Sequence, residues 1–255
     1  MRALVILALL FMGIVSSTIA GETIAVAAAA DLAFCLDDLD AAFQTAHPGV
    51  TVQPTTGSSG NFFAQIQNGA PFDVFLSADL DYPRKLADAG FADAASLTPY
   101  ATGRLVLWAL KPDFDMKRGL KLLGDNAVQK IAIANPDHAP YGRAAKAALQ
   151  HEGLWDALQP KIVLGENIAQ TLQFVQSGNA DVGLVARSLA LSPKLAGQGH
   201  FVEIPEELHP RLEQGAILTK RGAAKPDAKA YLEFLRGPEA RTIMARFGFG
   251  PPPEK

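Results

Sequence analysis

The chain reads as an α/β protein assembled from βαβ units, and three observations predict it. Short apolar runs rich in small and β-branched residues alternate with amphipathic stretches of ten or so residues, the pattern of parallel strands joined by crossover helices. Several of these runs end in small or polar residues that open the next helix directly. No internal repeat, low-complexity tract or long Gly/Ser linker interrupts the 255 residues. A chain of this length can form one large domain or two lobes of ~100 residues each.

Thr23–Ala29 reads as a buried strand, and Asp31 as the N-cap of an amphipathic helix running to about Phe43. His47-Pro48-Gly49 is a turn and Val50–Gln53 a strand. A helix from about Gly60 to Gln67 is stopped by Asn68-Gly69 ahead of Pro71. Asp73–Ser77 is a short strand, and Pro83–Ala89 a helix ended by Gly90. Strands are expected at Arg104–Leu110, Ile131–Ala134, Lys161–Leu164, Asp181–Val185 and Gln214–Thr219. Helices are expected at Gly142–His151 and Ala169–Ser177, and one or two over Asp227–Phe247, interrupted at Gly237-Pro238. If there are two lobes, the chain crosses between them inside Arg104–Leu110 and Gln214–Thr219, both hydrophobic and flanked by turns.

Met1–Ala20 has one basic residue, Arg2, an apolar run from Ala3 to Val15, and small or uncharged residues before Gly21, the pattern of a cleaved export signal. The run is shorter than the ~20 residues that span a bilayer. Removing it takes the formal balance from 23 − 26 = −3 to 22 − 26 = −4. No basic cluster or aromatic-interleaved Lys/Arg stripe points to nucleic acid. Cys35, the single cysteine, can form no internal disulfide and reads as a small core residue. The five histidines (His47, His138, His151, His200, His209) lack metal-ligand spacing.

The most informative stretch is Thr55–Asp79, TTGSSGNFFAQIQNGAPFDVFLSAD. Gly57 and Gly60 let the backbone turn its N–H groups inward, Ser58 and Ser59 add hydroxyl donors, and a helix follows with roughly +0.5 of an elementary charge at its start. A P-loop lysine is absent, which argues against a nucleoside triphosphate. Three other strand ends open helices in the same way: Ala28–Asp31, Asn135–Gly142 and Gly165–Ile168. Ligands of open α/β sheets sit at such strand ends. Four converging helix starts would sum to about +2, enough to balance a tetrahedral dianion without a buried Lys or Arg. Asp31 as a plain N-cap, Ser58 and Ser59 as loop and cap residues, and Tyr141 as a gap-filler beside Pro140 are the structural alternatives. Gly57–Gly60 lacks the spacing of a nucleophile elbow, and a Ser-dependent hydrolase with His138 as base is the enzymatic alternative.

At AAAADL (Ala27–Leu32), Gly57–Asp79, GRLVLWA (Gly103–Ala109), ANPDHAPYGRAAKAAL (Ala134–Leu149) and FLRGPEARTIMARFGF (Phe234–Phe249) the chain resembles the periplasmic molybdate-binding proteins of ABC importers. The resemblance covers nearly the whole mature chain. It implies the type II periplasmic binding-protein fold: two α/β lobes with mixed, mostly parallel sheets, helices on both faces, and a ligand cleft between them. On it, residues 1–20 are the signal peptide, 21–103 plus 216–255 lobe I, and 104–215 lobe II. It further implies an exported, periplasmic, monomeric protein without enzymatic activity or cofactor, not inserted in the membrane after processing. Such a protein captures molybdate or tungstate and hands it to an ABC permease. Another tetrahedral oxyanion (phosphate, arsenate or sulfate) is the alternative ligand.

Carried over by position, the resemblance places ligand contacts at Ser59 with Ser58 beside it, at Tyr141 in the P-x-G turn, and at Ile168 at the start of the following helix. The metal is held as its oxyanion, with no direct protein–metal bond. Two positions depart from the family pattern. Gly183-Leu184-Val185 is followed by Ala186 and Arg187 where some members place a tyrosine, and Asp31 stands where many have Ser or Asn. A carboxylate beside a dianion costs several kcal/mol at an effective dielectric of ~20. Three arrangements accommodate it: Asp31 turns away to cap its own helix, leaving its N–H to the ligand; Arg187 neutralises it; or the ligand carries a proton that Asp31 accepts. The first is the mildest.

Overall fold

The computed structural model describes residues 22–252; the export signal expected over residues 1–20 lies outside the described residues. The chain begins with β1 (Thr23–Ala29), a one-turn 3-10 helix (Ala30–Leu32), α1 (Leu36–Ala46), β2 (Thr51–Gly57), α2 (Ser59–Gln67), β3 (Val74–Ser77), α3 (Asp81–Asp88) and β4 (Thr98–Gly103). It continues through β5 (Leu105–Ala109), β6 (Ile131–Ala134), α4 (Pro140–His151), α5 (Trp155–Leu158), β7 (Ile162–Gly165), α6 (Ile168–Gln176), β8 (Val182–Ala186), α7 (Arg187–Ala190) and β9 (His200–Glu203). It ends with β10 (Leu212–Leu218), α8 (Pro226–Arg236) and α9 (Pro238–Arg246).

The strands form two five-stranded sheets, ordered β2-β1-β3-β10-β4 and β7-β6-β8-β5-β9. The plan repeats: three parallel strands, then one antiparallel strand, then a last one antiparallel to that. Alternating side chains of the first sheet feed two separate cores. Ile24, Val26, Ala28, Val74, Leu76, Ala216 and Leu218 pack with α1, α8 and α9. Ala27, Phe75 and Ile217 pack with α2 and α3 on the other face. The second sheet has its own core, which also takes in Ala29, Ala30 and Ala78 of the first lobe. Among the described residues no helix is long and apolar enough to cross a membrane.

One difference from the sequence expectation matters for the site. The helix expected from Asp31 starts only at Leu36. Asp31 sits in the preceding 3-10 turn, where no side chain caps. Its carbonyl accepts from the Ser188 hydroxyl at 2.7 Å and its carboxylate is engaged elsewhere, so it caps nothing. β4 passes into β5 across Arg104, and β10 pairs with β4 from Leu212↔Gly103, so that β10 is a strand of the first sheet.

Asp73 ties the start of this lobe together. Fully buried, it accepts from the Ala25 amide at 2.8 Å and the Lys225 ammonium at 2.9 Å, with the Arg221 guanidinium 2.9 Å away. Asp73→Ala removes the shared partner of all three. We expect a loss of about 3 kcal/mol, the low end for breaking a buried pair because both cations reach water. A urea midpoint no lower than wild type would refute that assignment.

Candidate functional site

The cleft between the lobes closes on a small cavity lined by Ala29–Asp31, Gly57–Ser59, Ala78, Ala139–Tyr141 and Asn167–Ile168. All five residues singled out from the sequence (Asp31, Ser58, Ser59, Tyr141, Ile168) line it, and no Lys or Arg does.

Three α-helices start at this cavity. In α2, Ser58 is the N-cap and its hydroxyl accepts from the Asn61 amide at 3.4 Å. That leaves the Ser59 amide without an intrahelical acceptor. In α4, Pro140 occupies the first turn and no side chain caps it, which frees the Tyr141 and Gly142 amides. In α6, the Asn167 side chain takes the Ala169 and Gln170 amides, both at 3.0 Å, and so spares that of Ile168. The expected fourth helix start is only the 3-10 turn at Ala30–Leu32. The summed partial charge is thus nearer three times +0.5 than four times.

The serines divide their work. Ser59 Oγ accepts from the buried Ala78 amide at 3.0 Å, which leaves its own proton to donate. Ser58 Oγ lies 2.7 Å from His138 Nδ1 and donates to the His138 carbonyl at 3.1 Å, a contact across the cleft. The Gly60 amide reaches the same carbonyl at 2.8 Å. Asn61 donates to Glu166, and Arg143 binds Asp79 and the Tyr82 hydroxyl, the latter at 3.2 Å. These rim contacts belong to a closed cleft. The Ser58–His138 contact resembles a hydrolase pair, but His138 Nε2 stands 3.8 Å from Glu166, beyond hydrogen-bond range. The histidine is therefore not oriented by a third group as a triad requires.

Asp31 is buried to 1 % exposure beside the inter-lobe crossing. Its Oδ2 accepts from the Tyr141 hydroxyl at 3.1 Å and from the Gln214 amide, and Gln214 in turn accepts from the Tyr100 hydroxyl at 2.8 Å. Gly103, where the chain crosses, has no room for a Cβ because the Tyr141 hydroxyl and Gln214 fill that space. Burial pushes the Asp31 carboxyl up to about 6, against the lowering effect of its Gln214 and Tyr141 hydrogen bonds. Arg187 does not neutralise it: that guanidinium pairs with Glu203 at 3.2 Å. Tyr100 and Gln214, invisible as site residues in the sequence, belong to this network; only a buried glutamine in an apolar strand hinted at it.

Cys35 is buried with its thiol pushed well up by desolvation, as befits a core residue. Among the described residues no group of three or more His, Cys, Asp or Glu could hold a metal ion.

Two lobes closing over a small, cation-free cavity rimmed by helix starts define a solute-binding protein. Residues 24–250 match the family model described as bacterial extracellular solute-binding protein, and the chain belongs to that family. It is 42% identical over 240 residues to the molybdate-binding protein ModA of Rhodobacter capsulatus, covering 94% of this chain and 92% of that one. It is 39% identical over 241 residues to the molybdate-binding protein ModA of Azotobacter vinelandii, covering 93% and 94%. The solved periplasmic molybdate-binding protein of Azotobacter vinelandii superposes with a TM-score of 0.85 at 37% identity, over 90% of this chain and 100% of that one.

Proposed function

We propose that this protein captures molybdate, and tungstate of nearly the same size and charge, in the periplasm and delivers it to an ABC permease. The observation that carries the reading is the small cavity, free of Lys and Arg, where the α2, α4 and α6 starts meet the Ser59 hydroxyl. Relatives named as molybdate-binding proteins over more than nine-tenths of the chain support the choice of anion. Ser59 donates through its hydroxyl and amide, Tyr141 and Ile168 through their amides, and Asp31 closes the floor. Ser58 serves as wall, helix cap and cross-cleft clasp. We assign the lobes as residues 22–103 with 212–252 and as 104–211. The export signal is removed after Ala20, and the mature chain acts as a monomer.

Sulfate shares the shape and charge of molybdate, so cavity size discriminates between them. A thermal-shift panel of molybdate, tungstate, sulfate, phosphate, arsenate and chromate on the mature protein tests the reading. A ligand that binds only the folded state stabilises it by RT ln(1 + [L]/Kd), which ranks the anions. Molybdate and tungstate are expected to lead at micromolar concentration. Phosphate, arsenate or sulfate leading would reassign the ligand, and no shift with any of the six would end the reading.

A further inference from the structure

Asp31 is the single carboxylate lining the cavity, and among the described residues it makes no ion pair. One of its oxygens, Oδ2, accepts from the Tyr141 hydroxyl and the Gln214 amide, and the backbone amides of Asp31 and Leu32 also lie near enough to favour the charged form. The other, Oδ1, is as deeply buried and has no hydrogen-bond partner. An ionised, half-satisfied carboxylate in the wall of a dianion site pays twice, in desolvation and in repulsion. A proton on Oδ1 removes both costs and turns an orphaned acceptor into a donor.

The groups packed around Asp31 offer no other remedy. Tyr141 from α4, Tyr100 from β4 and Cys35 just before α1 face it, and burial pushes the pKa of each well up, so all three stay neutral. From α7 come Ser188, which donates to the Asp31 carbonyl, and Arg187, held by Glu203. The sequences of α6 and β2 hold no charged residue. At the rim, His138 and Glu166 face each other and Ser58 and Asn61.

We infer that Asp31 takes up one proton from solvent at Oδ1 as the cleft closes on the dianion, so that the protein captures its ligand as anion plus proton. The neutral carboxyl then donates into the site while the ligand stays fully deprotonated. The inference rests on the reading of the cavity as a dianion site. Burial already holds the carboxyl near 6, and a dianion beside it moves it higher. Affinity is therefore fully present below the unliganded pKa and lost as pH rises through the higher pKa of the liganded state. Between the two, one proton enters per anion.

Calorimetry of sodium molybdate and sodium tungstate binding, run at pH 7.5 in buffers of different ionisation enthalpy, counts that proton. The expected result is about one proton taken up per anion by the wild-type protein, with affinity falling about tenfold per pH unit above neutrality. Asp31→Asn, which keeps one oxygen for both donors and places an amide NH₂ at the Oδ1 position, should show no uptake and a flat profile. His138→Gln should retain the uptake. Binding without proton uptake in the wild type, or uptake that survives Asp31→Asn and vanishes in His138→Gln, overturns this inference alone. Absence of any binding heat overturns it together with the reading of the cavity.

Discussion

Gly60→Ala is expected to cut ligand affinity at least a hundredfold while leaving the unliganded protein as stable as before. Gly60 lies in the first turn of α2, so alanine there suits the helix and costs nothing in propensity. A Cβ at this position, however, would stand 2.6 Å from the His138 carbonyl oxygen and 2.5 Å from the Tyr82 hydroxyl. The first of these is backbone of the opposite lobe. The added methyl is thus a wedge at the one point where the Gly60 amide meets the His138 carbonyl at 2.8 Å. With the lobes apart, neither the carbonyl nor the Arg143 contact fixes Tyr82, and the methyl finds room. The penalty falls on closure, and closure is what assembles the helix starts around the anion. A hundredfold loss corresponds to about 2.8 kcal/mol, at about 1.4 kcal/mol per tenfold. Wild-type affinity in calorimetry of this variant, or a lowered melting temperature without ligand, would contradict the argument.

Ser59→Ala should weaken molybdate binding by ten- to a hundredfold and also lower stability. The hydroxyl accepts from the buried Ala78 amide, and its proton is the one side-chain donor in the loop not already committed across the cleft. A hydrogen bond to a charged group contributes roughly 1.5–3 kcal/mol, and a buried amide left unpaired costs about 1–3 kcal/mol. The two losses separate experimentally: the first appears in calorimetry, the second in the melting temperature without ligand. Ser58→Ala gives the contrast. Its hydroxyl serves the α2 cap and His138, so its removal should weaken binding less than removal of the Ser59 hydroxyl. If Ser58→Ala has the larger effect on affinity, the division of labour between the two serines is wrong.

Much of this protein was legible in its residues because the signals were local. Ser58 ahead of an amphipathic run, Pro140 in a first turn and Asn167 ahead of Ile168 stand at the helix starts: α2 and α6 begin one residue before the Gly60 and Ala169 starts read from the sequence, and α4 two residues before the Gly142 start. Strands such as Thr23–Ala29 and Ile131–Ala134 are buried on both faces and read as continuous apolar runs. Strands that exist by pairing were missed. β4, TPYATG, has a proline and little β-branched content, and its partner is β10 across a bulge at Gln214/Gly215. β9, HFVE, is a sheet edge held by β5 alone. Neither carries a pattern that stands out before the partner strand is in place.

Asp31 shows the limit most clearly. Its sequence neighbours make it a good N-cap, and local chemistry alone would leave it there. Instead Tyr141, 110 residues away, and Gln214, 183 residues away, claim one carboxylate oxygen, while Ser188 claims its carbonyl. The sequence by itself determined the alternating βαβ plan, the approximate helix starts and the Gly57–Gly60 loop, because capping, periodicity and turn chemistry act over a few residues. Only the tertiary structure decided that the loop's two serines have different tasks and that Asp31 forms a buried floor with one free oxygen. Those outcomes depend on which donors the closing lobes bring together, and no span of neighbouring residues encodes that meeting.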